Sequence, residues 1–268
     1  MSELNKIALK ILSNGKGILA ADESTSTMTK RLESVNVTSN EKNRLLFRES
    51  LFSSNCMKNC IGGVILYDET IKQSSNSKQT IPELISKSGA IPGIKVDLGT
   101  RELQGFKGEV VTQGLDNLDE RFAEYYDMGA RFAKWRMVVT IDADETPTYE
   151  AVKMNCMQMA RYAQLAQEAG IVPIVEPEVI HAGDHSLQKA ELETTRTLQI
   201  LFQTLQEYRV DLAGLILKSS MVLAGDKYSE QTSPEEVAQA FRPVPCHPRG
   251  SGGLATAAAD LEAPGPRN

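Results

Sequence analysis

The sequence predicts an α/β fold in which parallel strands alternate with helices and curl into a barrel. Six short apolar stretches are separated by stretches with helical spacing, and they are too hydrophobic for a sheet with one solvated face. That alternation is typical of parallel βα units. The length of 268 residues also suits a (β/α) barrel, which takes roughly 250 residues. A third observation is that charged residues lie at the ends of several predicted strands.

The strands are predicted from short apolar runs and the helices from apolar residues three and four positions apart. Strands are expected at residues 17–22, 61–67, 91–97, 131–140, 171–180 and 212–220. Helices are expected at residues 3–12, 27–35, 40–53, 82–87, 118–128, 147–168, 186–209 and from 234 onward. Thr146 and Pro147 predict the start of the sixth helix, with Thr as the cap and Pro in the first turn. The polar segment after Tyr67, to about residue 79, predicts a loop.

Composition excludes several classes of function. A formal net charge of -6 and a pI near 5.3 argue against nucleic-acid binding. No apolar run is long enough to predict a membrane span. Four cysteines in a chain of this length predict reduced thiols and a cytoplasmic protein. His181, Asp184 and His185 could form half of a metal site, but no further ligand group accompanies them, so no metal is expected.

Three predicted strands carry two charged residues that share a face near the carboxyl end, because residues two apart in a strand point the same way. These pairs are Lys95 with Asp97, Lys134 with Arg136, and Glu176 with Glu178. Asp22 and Lys218 fall at matching places on two other strands. Each pair alone is better explained by a strand end with solvated charges. Five strands that end alike favour a shared pocket at the mouth of a barrel, where this fold keeps its active sites.

Lys218 is the candidate nucleophile of that pocket. An amine at the end of an apolar strand is costly to bury in charged form, and a neutral amine can form a Schiff base with a carbonyl. Cationic Lys134 and Arg136 would favour the neutral form, and surplus cations, with Lys30 and Arg31, could hold a phosphate. The alternative is a strand that ends at Lys218 with its ammonium in water.

Seven sequence motifs occur in this chain in the same order as in one known family. They are LAADES (19–24), GGVILYDET (62–70), GIKVD (93–97), TQGLD (112–116), AKWR (133–136), GIVPIVEPE (170–178) and LILK (215–218). Over about residues 5 to 240 the chain resembles the class I, Schiff-base fructose-1,6-bisphosphate aldolases. The resemblance implies a TIM (β/α)8-type barrel and a glycolytic lyase. Such an enzyme reversibly cleaves fructose 1,6-bisphosphate to dihydroxyacetone phosphate and glyceraldehyde 3-phosphate, without metal or cofactor.

The resemblance also assigns roles to residues of this sequence. Lys218 matches the Schiff-base lysine and Glu176 the general acid–base, with Glu178 beside it. Asp22 matches the acid that assists carbon–carbon bond cleavage, and Lys134 the supporting cation. The residues that match groups around the 6-phosphate are Lys95, Arg136, Ser24 and Thr27, and Arg31 lies close to them in the sequence. The family is often tetrameric, so the resemblance leaves a homo-oligomer open.

The chain also departs from the family. Ser26 replaces a Gly of the family, Thr27 replaces a Ser, and Ser219 and Ser220 stand where Pro-Asn is usual. Two further βα units, which carry the clamp for the 1-phosphate, have no counterpart after Phe241. We therefore expect a barrel of six recognisable βα units over residues 1–241 and a disordered, Pro-, Gly- and Ala-rich tail over 242–268.

Three functions follow from these departures. The first is an active class I aldolase, impaired because the 1-phosphate clamp is missing. The second is an inactive aldolase-like fragment that acts by protein association. The third is a Schiff-base aldolase for another sugar phosphate.

Overall fold

A computed structural model describes residues 1–142, 146–230, 232–241 and 255–257. The strands of this part are β1 (Gly17–Ala21), β2 (Ile61–Leu66), β3 (Ile91–Lys95), β4 (Thr100–Glu102), β5 (Val110–Thr112), β6 (Phe132–Val139), β7 (Val172–Val179), β8 (Ile216–Lys218) and β9 (Ala255–Ala257). The helices are α1 (Glu3–Ile11), α2 (Thr25–Glu33), α3 (Glu41–Phe52), α4 (Cys56–Cys60), α5 (Asp68–Ile71), α6 (Ile81–Lys87), α7 (Leu118–Asp127), α8 (Tyr149–Glu168), α9 (Leu187–Glu207) and α10 (Pro234–Ala240).

Seven of the strands form one parallel sheet in the order β1-β2-β3-β6-β7-β8-β9. β4 and β5 form a separate antiparallel hairpin after β3. The large sheet is curled, and within the described residues its edge strands β1 and β9 do not pair with each other. The architecture is an incomplete TIM barrel, so the predicted fold class is confirmed.

Alternate residues of each strand point to opposite faces, and the two faces have different cores. The outward residues of β6, such as Ala133 and Trp135, belong to a large apolar cluster shared with the surrounding helices. The inward residues at the amino ends of the strands, such as Phe132 and Ile174, form a second cluster inside the barrel. Moving toward the carboxyl ends, the inward positions become charged. The apolar half of the interior therefore supports a charged mouth.

Helix α1 closes the amino-terminal end of the barrel. Its Ala8 and Ile11 are fully buried in the interior cluster, and the Asn5 side chain donates a 2.7 Å hydrogen bond to the carbonyl of Ala213. The helix lies so close to β2 that a Cβ added at Gly62 would sit 1.8 Å from the carbonyl oxygen of Ile11. Glycine is required there because no side chain fits between helix and strand.

Two predicted boundaries were wrong. The sixth strand was expected at residues 212–220, but Leu212–Gly214 forms a 3₁₀ turn and β8 has three residues. The turn forms because the Asp211 side chain accepts a hydrogen bond from the Ala213 amide. Helix α8 begins after Thr148 rather than Thr146, since Thr148 caps the amide of Ala151 and is itself held by Glu109.

Several elements were not predicted, including the short helix α4 (Cys56–Cys60) before β2. The segment expected to be a loop after Tyr67 contains α5, and the β4–β5 hairpin had no strand prediction. After residue 241 no strand was expected, but β9 pairs in parallel with β8. The rest of the tail expected at 242–268 lies outside the described residues. The helix predicted from residue 234 onward is confirmed as α10, which begins at a capping box formed by Ser233 and Glu236.

Candidate active site

Four charged side chains form a continuous chain of ion pairs at the carboxyl ends of β1, β6, β7 and β8. Lys218 Nζ contacts Oε1 of Glu176. The second oxygen, Oε2, lies 2.9 Å from Nζ of Lys134, which in turn lies 2.8 Å from Oδ2 of Asp22. The structure thus brings together four of the residues that the sequence analysis assigned to catalysis.

The register of the sheet explains why these side chains meet. Ile174 pairs with Ile216, so Glu176 and Lys218, each two residues further on, point into the barrel at the same level. Lys134 pairs with Ile174 in β7, and Glu176 lies two residues beyond Ile174 toward the carboxyl end. Lys134 and Glu176 therefore point to the same face, with Lys134 deeper in the barrel. Neighbouring parallel strands with matched pleats therefore bring an acid and two amines within contact of one another.

All four residues are less than a tenth exposed, so their charges depend on their partners rather than on water. Burial alone would lower the pKa of Lys134, but the carboxylates of Asp22 and Glu176 outweigh it and raise that pKa well above the ordinary value. Burial would raise the pKa of Glu176, but Lys134 and Lys218 hold it below the usual range. The resting site therefore contains an ionised Glu176 between two cationic neighbours.

The neutral Lys218 that the sequence analysis expected is not what this geometry favours. That expectation rests on the cations Lys134 and Arg136 as neighbours, but Lys218 also contacts the Glu176 carboxylate. An opposite charge at contact distance stabilises the ammonium form. A nucleophilic amine at this position must therefore arise by proton transfer to Glu176 when substrate enters.

Two further ion pairs lie beside the central chain. Arg136 pairs with Glu178 through Nε, and this contact raises the pKa of Arg136 against the opposing effect of burial. Lys95 Nζ lies 2.8 Å from Oδ1 of Asp97 and donates to its carbonyl at 2.7 Å. Asp97 also accepts the backbone amide of Arg136 at 3.3 Å. The pocket cations that were expected to be in surplus are thus matched by carboxylates.

The residues predicted near the first strand lie at the amino end of α2, directly after Asp22. Ser24 caps this helix, and its hydroxyl lies 3.1 Å from the hydroxyl of Thr27. Arg31, at the other end of α2, pairs with Glu23 at 2.5 Å and is half exposed. Lys30 is exposed, and none of the ion pairs among the described residues includes it.

Arg48 and Tyr162 were not singled out from the sequence. Arg48, on α3, is fully buried and donates 2.6 Å to the carbonyl of Glu23. The Tyr162 hydroxyl, on α8, lies 2.7 Å from the carbonyl of Ala133 and 3.2 Å from that of Ile174, bridging β6 and β7. Neither residue belongs to a strand end or a motif, so periodicity alone gives no signal for them. Each supports the strands from a neighbouring helix.

Within the described ranges no cluster of three His, Cys, Asp or Glu side chains is placed to hold a metal ion. His185 is buried, and burial lowers the pKa of its imidazole. No helix of the described part is both long and apolar enough to cross a membrane.

Comparison with known proteins identifies one family that this chain resembles over most of its length. The sequence model of the family described as fructose-bisphosphate aldolase class-I matches residues 3–244. The chain is 47% identical over 240 residues to a fructose-bisphosphate aldolase of Schistosoma mansoni, covering 89% of this chain and 66% of that protein. It is 46% identical to a probable fructose-bisphosphate aldolase class 1 of Xanthomonas campestris, covering 89% of this chain and 71% of the relative.

A solved structure has the same architecture. It is the fructose-bisphosphate aldolase of Plasmodium falciparum in complex with TRAP and a small-molecule inhibitor, with a TM-score of 0.87 and 40% identity. The match covers 89% of this chain and 69% of that one. The chain thus spans about two thirds of the length of these relatives.

Proposed function

The chain belongs to the class I fructose-bisphosphate aldolase family, and on that premise we propose that it cleaves fructose 1,6-bisphosphate reversibly through a Schiff base on Lys218. The products are dihydroxyacetone phosphate and glyceraldehyde 3-phosphate. The observation that carries this proposal is the contact of Glu176 with two buried lysines, one through each carboxylate oxygen. Such a carboxylate can take a proton from one amine while the other keeps the site positive.

In the first stage Glu176 takes a proton from Lys218, and the free amine attacks the C2 ketone of the substrate. Protonated Glu176 then returns the proton to the departing C2 hydroxyl, which leaves as water and yields the protonated imine. Lys134 stays charged because one of its two carboxylate partners is ionised at each stage, Asp22 while Glu176 carries the proton and Glu176 after it has returned it.

In the second stage the protonated imine accepts the electron pair of the C3–C4 bond. The C4 hydroxyl loses its proton to Asp22, the aldehyde leaves, and an enamine remains on Lys218. Protonation at C3 and addition of water then release dihydroxyacetone phosphate and restore the lysine. We assign Glu178, which pairs with Arg136 at the mouth, a supporting role in these proton transfers.

The phosphate at C6 would be met by the outer groups of the site. We assign this role to Ser24, Thr27 and Arg31 on α2, together with Lys95 and Arg136. The cations Lys95, Arg136 and Arg31 are paired with carboxylates in this structure. On substrate binding, each of these cations would therefore exchange its carboxylate partner for a phosphate oxygen. The cations would recognise the doubly charged phosphate through the geometry of their hydrogen bonds and not through an excess of positive charge in the site.

Borohydride trapping tests the proposal directly. The protein is incubated with dihydroxyacetone phosphate and borohydride, and the reduced adduct is located by peptide mass spectrometry. We expect the adduct on Lys218 and none with Lys218→Met. If the folded protein forms no adduct, the result contradicts the proposal. An adduct with a different keto sugar phosphate in preference to dihydroxyacetone phosphate would support the alternative of another aldolase substrate.

A second candidate function is association with other chains, and the edge of the sheet favours it. The central residues of β2 are buried, but Leu19 of β1 is half-buried and Ala20 is exposed. Among the described residues the outer edge of β1 pairs with no other strand, and an unpaired edge with apolar side chains is a site for strand addition or self-association. Analytical ultracentrifugation at several concentrations tests whether the chain forms the homo-oligomer that is common in the family. A monomer at all concentrations would reject this candidate for self-association.

Two exposed free thiols, Cys56 and Cys60, support a reducing compartment, and we propose the cytoplasm. Cell fractionation with thiol labelling of both cysteines would test this location.

A further inference from the structure

The guanidinium of Arg48 is buried beneath the turn that carries Asp22. Nη2 donates 2.6 Å to the carbonyl of Glu23, and Nη1 donates 2.8 Å to the hydroxyl of Thr70. The carboxylates of Glu23 and Glu69 lie 3.8 and 3.9 Å away. A fully buried cation is costly unless it is paired and hydrogen-bonded, so these contacts fix the guanidinium in place.

The Glu23 carbonyl that accepts this hydrogen bond lies next to a residue of the candidate active site. It belongs to the peptide that joins Glu23 to Ser24, directly after Asp22. On one side of this peptide Asp22 reaches Lys134 at 2.8 Å. On the other side Ser24 caps α2, and its carbonyl accepts the amide of Met28 at 2.9 Å. One hydrogen bond from Arg48 therefore anchors the link between an acid of the site and the helix behind it.

Electrostatics agrees with this geometry. Burial lowers the pKa of Arg48, and the charges of Glu23, Glu69 and Asp22 oppose that effect. Asp22 is thus close enough to feel the guanidinium charge, although its own ion pair is with Lys134.

We propose that Arg48 is a positioning residue that aims the Asp22 carboxylate at Lys134 by holding the Glu23 carbonyl. The inference rests on the proposed function of the Asp22, Lys134, Glu176 and Lys218 chain. Arg48 does not touch the reacting atoms. It acts by fixing the backbone one residue away from a side chain that does.

Arg44 provides a matched control on the same helix. It lies one turn before Arg48 and also binds Glu69, with its Nε 2.9 Å from Oε1. No hydrogen bond or ion pair to Glu23 is made by Arg44 among the described contacts. Arg44→Met therefore removes an arginine–Glu69 contact without releasing the turn at Asp22.

The kinetic experiment compares Arg48→Met, Arg48→Lys and Arg44→Met in the cleavage of fructose 1,6-bisphosphate, the stage in which Asp22 takes a proton. We expect Arg48→Met to slow cleavage at saturating substrate by about tenfold or more, since small misplacements of catalytic groups are costly. The half-saturating concentration should stay within about twofold. Arg48→Lys keeps the charge but not the two-pronged geometry, so it should also be slower. Arg44→Met should match the unmodified protein, and equal rates for Arg44→Met and Arg48→Met overturn the inference.

Hydrogen exchange provides a readout that does not depend on activity. The amides of Thr27 and Met28 donate to Ser24, so release of the turn should make them exchange faster in Arg48→Met and Arg48→Lys than in Arg44→Met. Unchanged exchange in the Arg48 variants overturns the inference. If the unmodified protein forms no adduct, the proposed function fails, and the exchange data still decide whether Arg48 holds the turn. If Arg48→Met does not fold, Arg48→Lys decides both measurements.

Discussion

Nζ of Lys134 lies 2.8 Å from Oδ2 of Asp22, although β2 and β3 separate their strands in the sheet. In a flat sheet three strand spacings would place these strands about 14 Å apart. The ion pair exists because the sheet curls, which brings side chains on its concave face together. This contact across the barrel mouth links the first strand to the lysine and glutamate of β6 and β7.

Lys134→Met should slow formation of the Lys218 adduct by about a hundredfold, because the substitution removes the cation that Asp22 and Glu176 share. The measurement is the rate of borohydride trapping with dihydroxyacetone phosphate. Lys153→Met is the control, since Lys153 lies on α8 and pairs with Glu207 at 3.0 Å, away from the site. Similar rates for the two variants would show that Lys134 has no part in the chemistry.

Glu176 should make the fold sensitive to acid. Its pKa is lowered in the folded protein because the two lysines outweigh burial. Its carboxylate therefore stabilises the fold above the unfolded pKa of about 4.3, and this contribution is lost as the pH falls through the lower folded value. Between about pH 5 and pH 3 the unfolding free energy should fall more steeply than in Glu176→Gln, by up to about 1.4 kcal/mol per pH unit. Urea unfolding at several pH values measures both slopes, and parallel slopes would contradict the prediction.

Tyr162→Phe should lower the unfolding free energy by about 1–2 kcal/mol, since it removes a buried donor from the carbonyls of Ala133 and Ile174. The control is Tyr149→Phe on the same helix, where the side chain is 51% exposed and the change should be close to neutral. Urea unfolding of both variants tests this. An equal, small effect would mean that the hydroxyl does not support β6 and β7.

Gly62→Ala should be strongly destabilising, by about 3 kcal/mol, because its new Cβ would collide with the backbone of α1. Gly17 lies in the neighbouring strand β1, and a Cβ there meets nothing within 4 Å. Gly17→Ala should therefore change stability little. Thermal or urea unfolding of the two variants gives the comparison, and a harmless Gly62→Ala would show that α1 is not packed tightly against β2.

Much of the fold was predictable because parallel strands buried on both faces give continuous apolar runs. Residues 61–67 and 171–180 were predicted as strands and became β2 and β7 within two residues at each end. The strand predicted at residues 212–220 was wrong for the same reason. Apolar composition does not distinguish a buried strand from a buried turn. The Asp211 side chain selects the turn here, because it accepts a hydrogen bond from the Ala213 amide.

The sequence by itself determined which charges enter the barrel, because period-two alternation places Lys134, Glu176 and Lys218 on inward positions whatever the curvature. Only the tertiary structure decided which charges touch. It paired Lys218 with Glu176 rather than leaving a free amine, and it placed Arg48 under the Asp22 turn from a helix that no strand pattern connects to the site. Alternation along one strand is a local property of the backbone, whereas contacts between strands and helices depend on curvature and register, which the whole packed chain sets.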